Sequence, residues 1–263
     1  MQTQEQIRAG QIAFFEKNGY LIVKDMLSPN QLAELRSRVD EALAGAQPQF
    51  GDFELQWEPQ LQNRADLPRA QRIRVFFHLC HRDAWFRKYA TRPDVVEIVS
   101  GLLGPDPRLY TDQLFVKGPY NGSAVPYHQD AAYWPVEPMN MISCWMAIDD
   151  ATVENGCVNV IPGTHKKLLP HTHFKSGPQS LGLLEHEVST ADEIPIELPA
   201  GSCMFHHSLL IHRSKPNTSP KSRRGLVTIY MPNQFTLTKP WEFKYGFQVI
   251  ESKRESIELT AAR

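Results

Sequence analysis

Apolar residues recur at helical spacing through the first hundred positions. Residues 3–17, with Ile7, Ile12, Phe14 and Phe15, predict a helix that ends near Gly19. A short apolar run at 20–23 predicts a strand. Ser28-Pro29 has the form of an N-cap followed by proline at the first helical position. The helix it opens carries Leu32, Leu35, Val39 and Leu43 on one stripe and stops at Gly45. Residues 46–71 are polar and without period, a length uncommon for a loop unless it is mobile or functional. Pro93 opens a further helix with Val95, Val96, Ile98, Val99, Leu102 and Leu103, closed by Gly104-Pro105.

After about residue 107 the pattern changes. Apolar, β-prone runs at 109–116, 141–148, 157–161, 194–198, 203–211 and 226–231 are cut by Pro, Gly, Asn and Asp. Short strands punctuated this evenly predict a β-sandwich or jelly-roll barrel. No helical stretch between them is long enough for a parallel crossover, which argues against a doubly wound sheet. The expected class is mainly β with α: a jelly-roll core flanked by N-terminal helices. We expect one domain over 1–263: a mostly helical flank and lid at 1–106, the core at 107–235 and an extension at 236–263. The charged end, 251–263, reads as a loose tail or a short surface helix.

Composition narrows the partners. Against 29 acidic residues stand 28 basic ones, a net charge of −1, which argues against a nucleic-acid binder held by a positive field. The chain is 41% hydrophobic, enough for a large core. Its 20 prolines exclude a long helical bundle. Cys80, Cys144, Cys157 and Cys203 form no CxxC pair and read as buried, reduced thiols. No apolar run reaches the ~18 residues of a membrane span, and the polar first residues lack signal-peptide order. The expectation is a cytoplasmic protein with a small-molecule substrate, no nucleic acid and no membrane. The oligomeric state is not legible.

Candidate chemistry starts at His128-Gln129-Asp130. On an extended strand, residues i and i+2 share a face, so an imidazole and a carboxylate point at one spot. A second histidine on a later strand would complete a facial set of two histidines and one carboxylate. That set suits Fe(II) because it leaves coordination positions open. His212 ends an apolar run, and a Pro-Asn-Thr-Ser-Pro turn separates it from Arg223-Arg224. Read as adjacent antiparallel strands, the two runs bring a histidine and an arginine near facing ends. Arginine suits the far carboxylate of a 2-oxo dicarboxylate, which it can bind through two parallel hydrogen bonds.

With these residues the chain resembles the phytanoyl-CoA dioxygenase family of Fe(II)/2-oxoglutarate oxygenases. The resemblance runs in order from Gly19-Tyr20-Leu21-Ile22-Val23 through the stretch Gln113 to Pro119. It continues through His128-Gln129-Asp130 with Ala131 to Pro135, then Glu154-Asn155-Gly156-Cys157 and Ile161-Pro162-Gly163-Thr164-His165-Lys166. It closes on His212-x-Ser214 with Asn217, Ser219 and Arg223. What it implies is a double-stranded β-helix of the cupin kind, with His128, Asp130 and His212 as iron ligands. Arg223, eleven residues after His212, would hold the distal carboxylate of 2-oxoglutarate, with Ser214 assisting. Gln113 and Trp145 would line the cosubstrate pocket. Arg74 falls near a basic family position that also helps, with Arg72 as a substitute; Arg224 is the rival of Arg223.

The implied activity is hydroxylation of an unactivated C–H bond of a small molecule, using O2 and releasing succinate and CO2. Related halogenases have a small residue in place of the carboxylate, so Asp130 favours oxygenation. Desaturation, epoxidation or ring formation at the same centre are alternatives, as is a non-oxidative jelly-roll metalloprotein or a ligand-binding protein. Residues 63–74 and 165–176 are the segments expected to close over the site. Lys166, Lys167, His171 and Lys175 could attract an anion or be ordinary surface charge. His206 shares strand parity with His212, but along one continuous strand the two would stand about 17–20 Å apart. His207 reads as core or as a neighbour of the site, His165 as structural, and His171 and His173 as a surface loop. Tyr133 and Trp134 either wall the substrate cavity or pack in the interior.

Overall fold

The structure, a computed structural model, describes residues 4–52, 54–174, 181–240, 245 and 248–250. Helix α1 (Gln4–Asn18) leads into strand β1 (Tyr20–Val23). Helix α2 (Pro29–Ala44) starts where the sequence places it. The Ser28 hydroxyl accepts from the Gln31 amide while the Gln31 side chain accepts from Ser28 N, a reciprocal cap. Gly45, at φ 69°, ends the helix in the left-handed conformation.

Residues 46–71 are less irregular than expected. They contain a 3-10 turn (Pro48–Phe50), strand β2 (Leu55–Trp57) and the start of a short helix, α3 (Arg69–Arg72). The three-residue β2 shows no readable alternation, which is why the sequence hides it. Strand β3 (Ile73–Phe77), α4 (Leu79–Arg82), α5 (Ala84–Ala90) and α6 (Pro93–Leu103) follow.

The remaining strands are β4 (Arg108–Lys117), β5 (Val125–His128), β6 (Val136–Glu137), β7 (Ile142–Ala147) and β8 (Val158–Val160). After them come β9 (Thr172–His173), β10 (Leu181–Gly182), β11 (Ile194–Ile196), β12 (Cys203–His207), β13 (His212–Ser214), β14 (Arg223–Met231), β15 (Thr236–Leu237) and β16 (Gln248–Val249). A large sheet runs β1-β12-β7-β14-β4-β3-β2, with β16 also on β4. A smaller sheet runs β11-β8-β13-β5. Every pairing is antiparallel, and the two sheets face each other as a jelly-roll.

Parity sorts the large sheet. Phe205, Cys144, Leu226 and Tyr230 point outward into a core shared with Leu35 and Val39 of α2, Phe86 of α5 and Val99 of α6. Met204, Trp145, Val227 and Ile229 point inward, against Val158, Val160 and Ile196 of the small sheet. The helical flank thus seals one face of the large sheet, and the other face is left for the site.

Two expectations need correction. The run 203–211 is not one strand: it turns at Leu210 N–His207 O (2.9 Å) and crosses from the large sheet to the small one. No glycine or proline marks that break. Consequently His212 and Arg223 lie on opposite sheets, not on adjacent strands. Residues 251–263, expected as a tail, lie outside the described residues, as does Lys175. No helix among the described residues is long and apolar enough to cross a membrane.

Candidate metal centre

His128 and His212 are direct cross-strand partners in the small sheet, their rings 4.1 Å apart between centroids. Direct opposition brings such side chains together by register alone. Asp130 lies in the 3-10 turn Asp130–Tyr133 that follows β5, so the chain bends to deliver the carboxylate. Its Oδ1 lies 3.5 Å from His128 Nε2 and 3.7 Å from His212 Nε2. One ligand atom from each of the three falls within 4.8 Å of the others.

Both imidazoles are turned the same way. Nδ1 of His128 donates to Pro126 O at 2.9 Å, and Nδ1 of His212 to Leu210 O at 2.9 Å. A carbonyl only accepts, so each Nδ1 carries a hydrogen, and it is Nε2 that is left to bind a metal. Burial, with the neighbouring His128, pushes His212 down to about 3, so it is neutral at ordinary pH. Burial alone would raise the Asp130 carboxyl, but the surrounding imidazoles, His212 foremost, hold it well below the usual range. Two imidazole nitrogens and one carboxylate oxygen are the donor set that Fe(II) accepts.

The set opens into a cavity of about 300 Å³ between the sheets, lined by Gln113, Trp145, Ser214, Arg223 and Arg74 among others. Arg223, from the start of β14, is 2% exposed. Its Nη2 donates to Gly156 O at 2.7 Å, its Nε has no partner, and no carboxylate among the described residues pairs with it. Burial lowers it to about 10, which leaves it charged at neutral pH. Its guanidinium lies over the Trp145 ring, 5.4 Å from the centroid. That arrangement requires Gly225, where a Cβ would come 2.3 Å from the indole.

Arg224 points the other way and is spent on ion pairs with Asp149 and Asp40. Arg74 reaches the cavity because of a bulge. Gln56 pairs with Val75 and Trp57 with Ile73, which leaves Arg74 unpaired and lets it line the cavity beside Val75. Its Nη1 donates to Gln56 Oε1 at 2.9 Å, and its Nη2 has no partner. Arg72 instead lies over the Trp57 ring, 5.0 Å from the centroid. Two buried guanidiniums with unpartnered N–H groups line the cavity into which the triad opens, which suits an anion such as a dicarboxylate there.

Several residues were missed or misplaced by the sequence reading. His206 is not remote: its Nε2 lies 3.1 Å from Asp130 Oδ2, because the chain turns between His207 and His212. Ser143 Oγ donates to the same oxygen at 3.0 Å. Gln129, between the two ligands, is fully buried; it donates to Lys167 O and Leu209 O and accepts from Leu169 N. His171 does sit in a loop, yet its ring turns inward to accept the Gln129 amide at 3.0 Å, while His173 is exposed. His207 faces away from the triad toward Phe15 and His165, whose Nε2 bonds Glu16 O at 3.1 Å. Tyr133 and Trp134 both line the cavity.

A jelly-roll with two histidines, one carboxylate and an unpaired arginine in its mouth defines the class of iron- and 2-oxoglutarate-dependent dioxygenases. The profile of the phytanoyl-CoA dioxygenase (PhyH) family matches residues 15–225. The chain belongs to that family, and it is a dioxygenase that uses Fe(II) and 2-oxoglutarate. It is 32% identical to a probable phytanoyl-CoA dioxygenase of Caenorhabditis elegans, over 85% of this chain and 75% of that one. It is 28% identical to phytanoyl-CoA dioxygenase 1 of Oryza sativa subsp. japonica, over 82% and 86%. Among solved structures it resembles the epimerase SnoN from nogalamycin biosynthesis, in complex with Fe3+, alpha-ketoglutarate and nogalamycin RO. The TM-score is 0.70 at 20% identity, over 90% of this chain and 88% of that one, a likeness of fold.

Proposed function

We propose that the protein hydroxylates an unactivated C–H bond of a small molecule, with His128, Asp130 and His212 holding the iron. The observation that carries this reading is Arg223: a buried, unpaired cation opening into the same cavity as the triad. A buried charge without a counter-ion is costly unless a ligand supplies one. With Fe(II) and 2-oxoglutarate bound, the centre supplies oxidation of a C–H bond by O2, with succinate and CO2 as coproducts.

The chain's own groups do the arranging. Pro126 O and Leu210 O fix the two rings so that each Nε2 would be free to hold the metal. Arg223 binds the distal carboxylate of the cosubstrate with Ser214 beside it, and Gln113 and Trp145 wall the same pocket. Arg74 offers its remaining N–H to an anionic oxygen in the cavity. Phe115, Val125, Val227 and Ile229 exclude water around the reacting centre. Asp130 keeps a carboxylate where a halide would otherwise sit, which supports oxygenation. Tyr133 and Trp134, after the ligands, wall the substrate end.

We also read the whole chain as one oxygenase domain in the cytoplasm. Support comes from the core that joins α2, α5 and α6 to the large sheet and from four buried free cysteines. Fold and centre do not select a substrate, since one scaffold serves many. The test is anaerobic addition of Fe(II) and 2-oxoglutarate, which should give a weak visible charge-transfer band. A succinate-release screen over acyl-CoAs, amino acids, phosphonates and secondary-metabolite intermediates then finds the substrate. No band together with no succinate would sink the oxygenase reading and leave a non-oxidative metalloprotein.

A further inference from the structure

On that reading, three protein atoms occupy three metal positions and three remain for cosubstrate and oxygen. The count holds only while Asp130 gives the metal a single oxygen. Its two oxygens have different neighbours. Oδ1 faces Nε2 of both His128 and His212. Oδ2 takes the Ser143 hydroxyl at 3.0 Å and His206 Nε2 at 3.1 Å. His206 and Ser143 are cross-strand partners on β12 and β7, both buried. The large sheet therefore sends a matched pair of donors across the cavity to an oxygen whose partner atom serves the small sheet. His206 Nδ1 is buried and has no hydrogen-bond partner, so Asp130 is the group that orients this ring.

We propose that His206, with Ser143, is a positioning residue: it occupies Asp130 Oδ2 and holds the carboxylate as a one-oxygen ligand. Metal positions that a chelating 2-oxo acid needs are thereby kept open. His206 is not itself a ligand here, since its Nε2 is committed to Oδ2. Its ring nonetheless lies 4.8 Å from that of His212, near enough that the distinction has to be tested. Outer partners of metal ligands typically cost about 10–100-fold in metal affinity or activity when removed.

The experiment titrates metal-free, full-length protein with Co(II) under anaerobic conditions, reading visible absorption before and after 2-oxoglutarate. His206→Ala should weaken Co(II) binding about 10–100-fold, change the spectrum toward a more filled coordination shell and raise KM for 2-oxoglutarate more than it lowers kcat. His206→Gln, which can aim an amide N–H at Oδ2, should recover most of the affinity. Ser143→Ala should move the same quantities less. Unchanged affinity, spectrum and KM in His206→Ala and Ser143→Ala would overturn the proposal in favour of packing alone. Loss of Co(II) as complete as in His212→Ala, with no rescue by glutamine and no effect of Ser143→Ala, would make His206 a ligand and overturn it too. Should His206→Ala not fold, Ser143→Ala decides: normal Co(II) binding, spectrum and KM in that variant count against the proposal. Wild-type protein that binds neither Co(II) nor 2-oxoglutarate would remove the functional reading first; failure confined to the variants removes only this one.

Discussion

The two faces of the large sheet are made by the same strands and do opposite things. Along β12, Cys203 and Phe205 point outward into the helix-covered core, whereas Met204 and His206 point inward. Along β14, Leu226 and Tyr230 go out, and Arg223, Val227 and Ile229 go in. The outer face is apolar and closed by α2, α5 and α6. The inner face admits a buried cation, a buried imidazole and a cavity. Period-2 alternation lets one strand hold the fold with one set of residues and the site with the other. The contrast can be broken by substitution on either side, and the two sides should fail differently.

The largest effect belongs to a ligand on the cavity side. His212→Ala removes one of three donors and should cost several kcal/mol of metal-dependent stabilisation, about a thousandfold or more in turnover. Only a modest loss of thermal stability is expected in the metal-free variant: buried His212 bonds Leu210 O and packs against the rings of His128 and His206, but it lies at the cavity and not in the helix-covered core. Succinate release and metal affinity are the measurements. Turnover within tenfold of wild type would remove His212 from the ligand set.

Phe205→Ala tests the other face. Phe205 is fully buried in the helix-facing core, and truncation there should cost about 3–5 kcal/mol. For a chain of this size that lowers Tm by roughly 10 °C. Below its transition the variant should bind Co(II) like wild type. A large loss of metal affinity in the folded variant would show that the two faces are coupled rather than separate.

How far this division could be read in advance depended on local punctuation. Ser28-Pro29, Gly45, Pro93 and Gly104 carry their own cap chemistry, so α2 and α6 stand where the pattern placed them. The long apolar runs of β4 and β14 are legible because Pro, Gly and Asn bound them, although β14 begins at Arg223, ahead of the run at 226–231. Two-residue β6, β9 and β15 and three-residue β2 carry too little pattern to be seen. Residues 128, 130 and 212 converge, but strand parity alone does not account for Asp130, which reaches the spot by a turn. His206 was lost because Ser208-Leu209-Leu210-Ile211 has no breaker, so a sheet crossing was read as one strand. Arg74 depends on a bulge that exists only through pairing with β2. Such features are properties of partners distant in sequence.

Arg223→Leu sharpens the comparison from within the cavity face. Losing a buried partner of the distal carboxylate should cost about 3 kcal/mol, roughly a hundredfold in 2-oxoglutarate affinity. In the ligand-free protein, however, Arg223 is a desolvated charge with one hydrogen bond to Gly156 O. Removing it should leave Tm unchanged or higher. Cosubstrate titration and thermal melts of the ligand-free protein check both halves. A lower Tm with normal cosubstrate affinity would assign Arg223 to the scaffold.

The smallest effect separates two neighbouring histidines. His206 faces the cavity, and His207 faces α1 and His165. Burial first, then His165, His206 and Lys166, lowers His207 to about 4. Folded His207 therefore stays neutral where an unfolded imidazole, with a pKa near 6.5, has taken up a proton. Its contribution is fully present above about pH 6.5 and is lost as pH falls toward 4. Between pH 7 and pH 5 that amounts to about 2 kcal/mol. His207→Ala should be less stable than wild type at pH 7, and the gap should narrow by about that amount at pH 5. The other lowered histidines, His81, His165, His171 and His212, are common to both proteins, so the difference reports this ring together with its coupling to His165. Denaturant midpoints of the metal-free proteins at the two pH values measure it. Parallel pH curves would mean that His207 titrates alike in the folded and unfolded chains, and that the outer face tolerates a charge there after all.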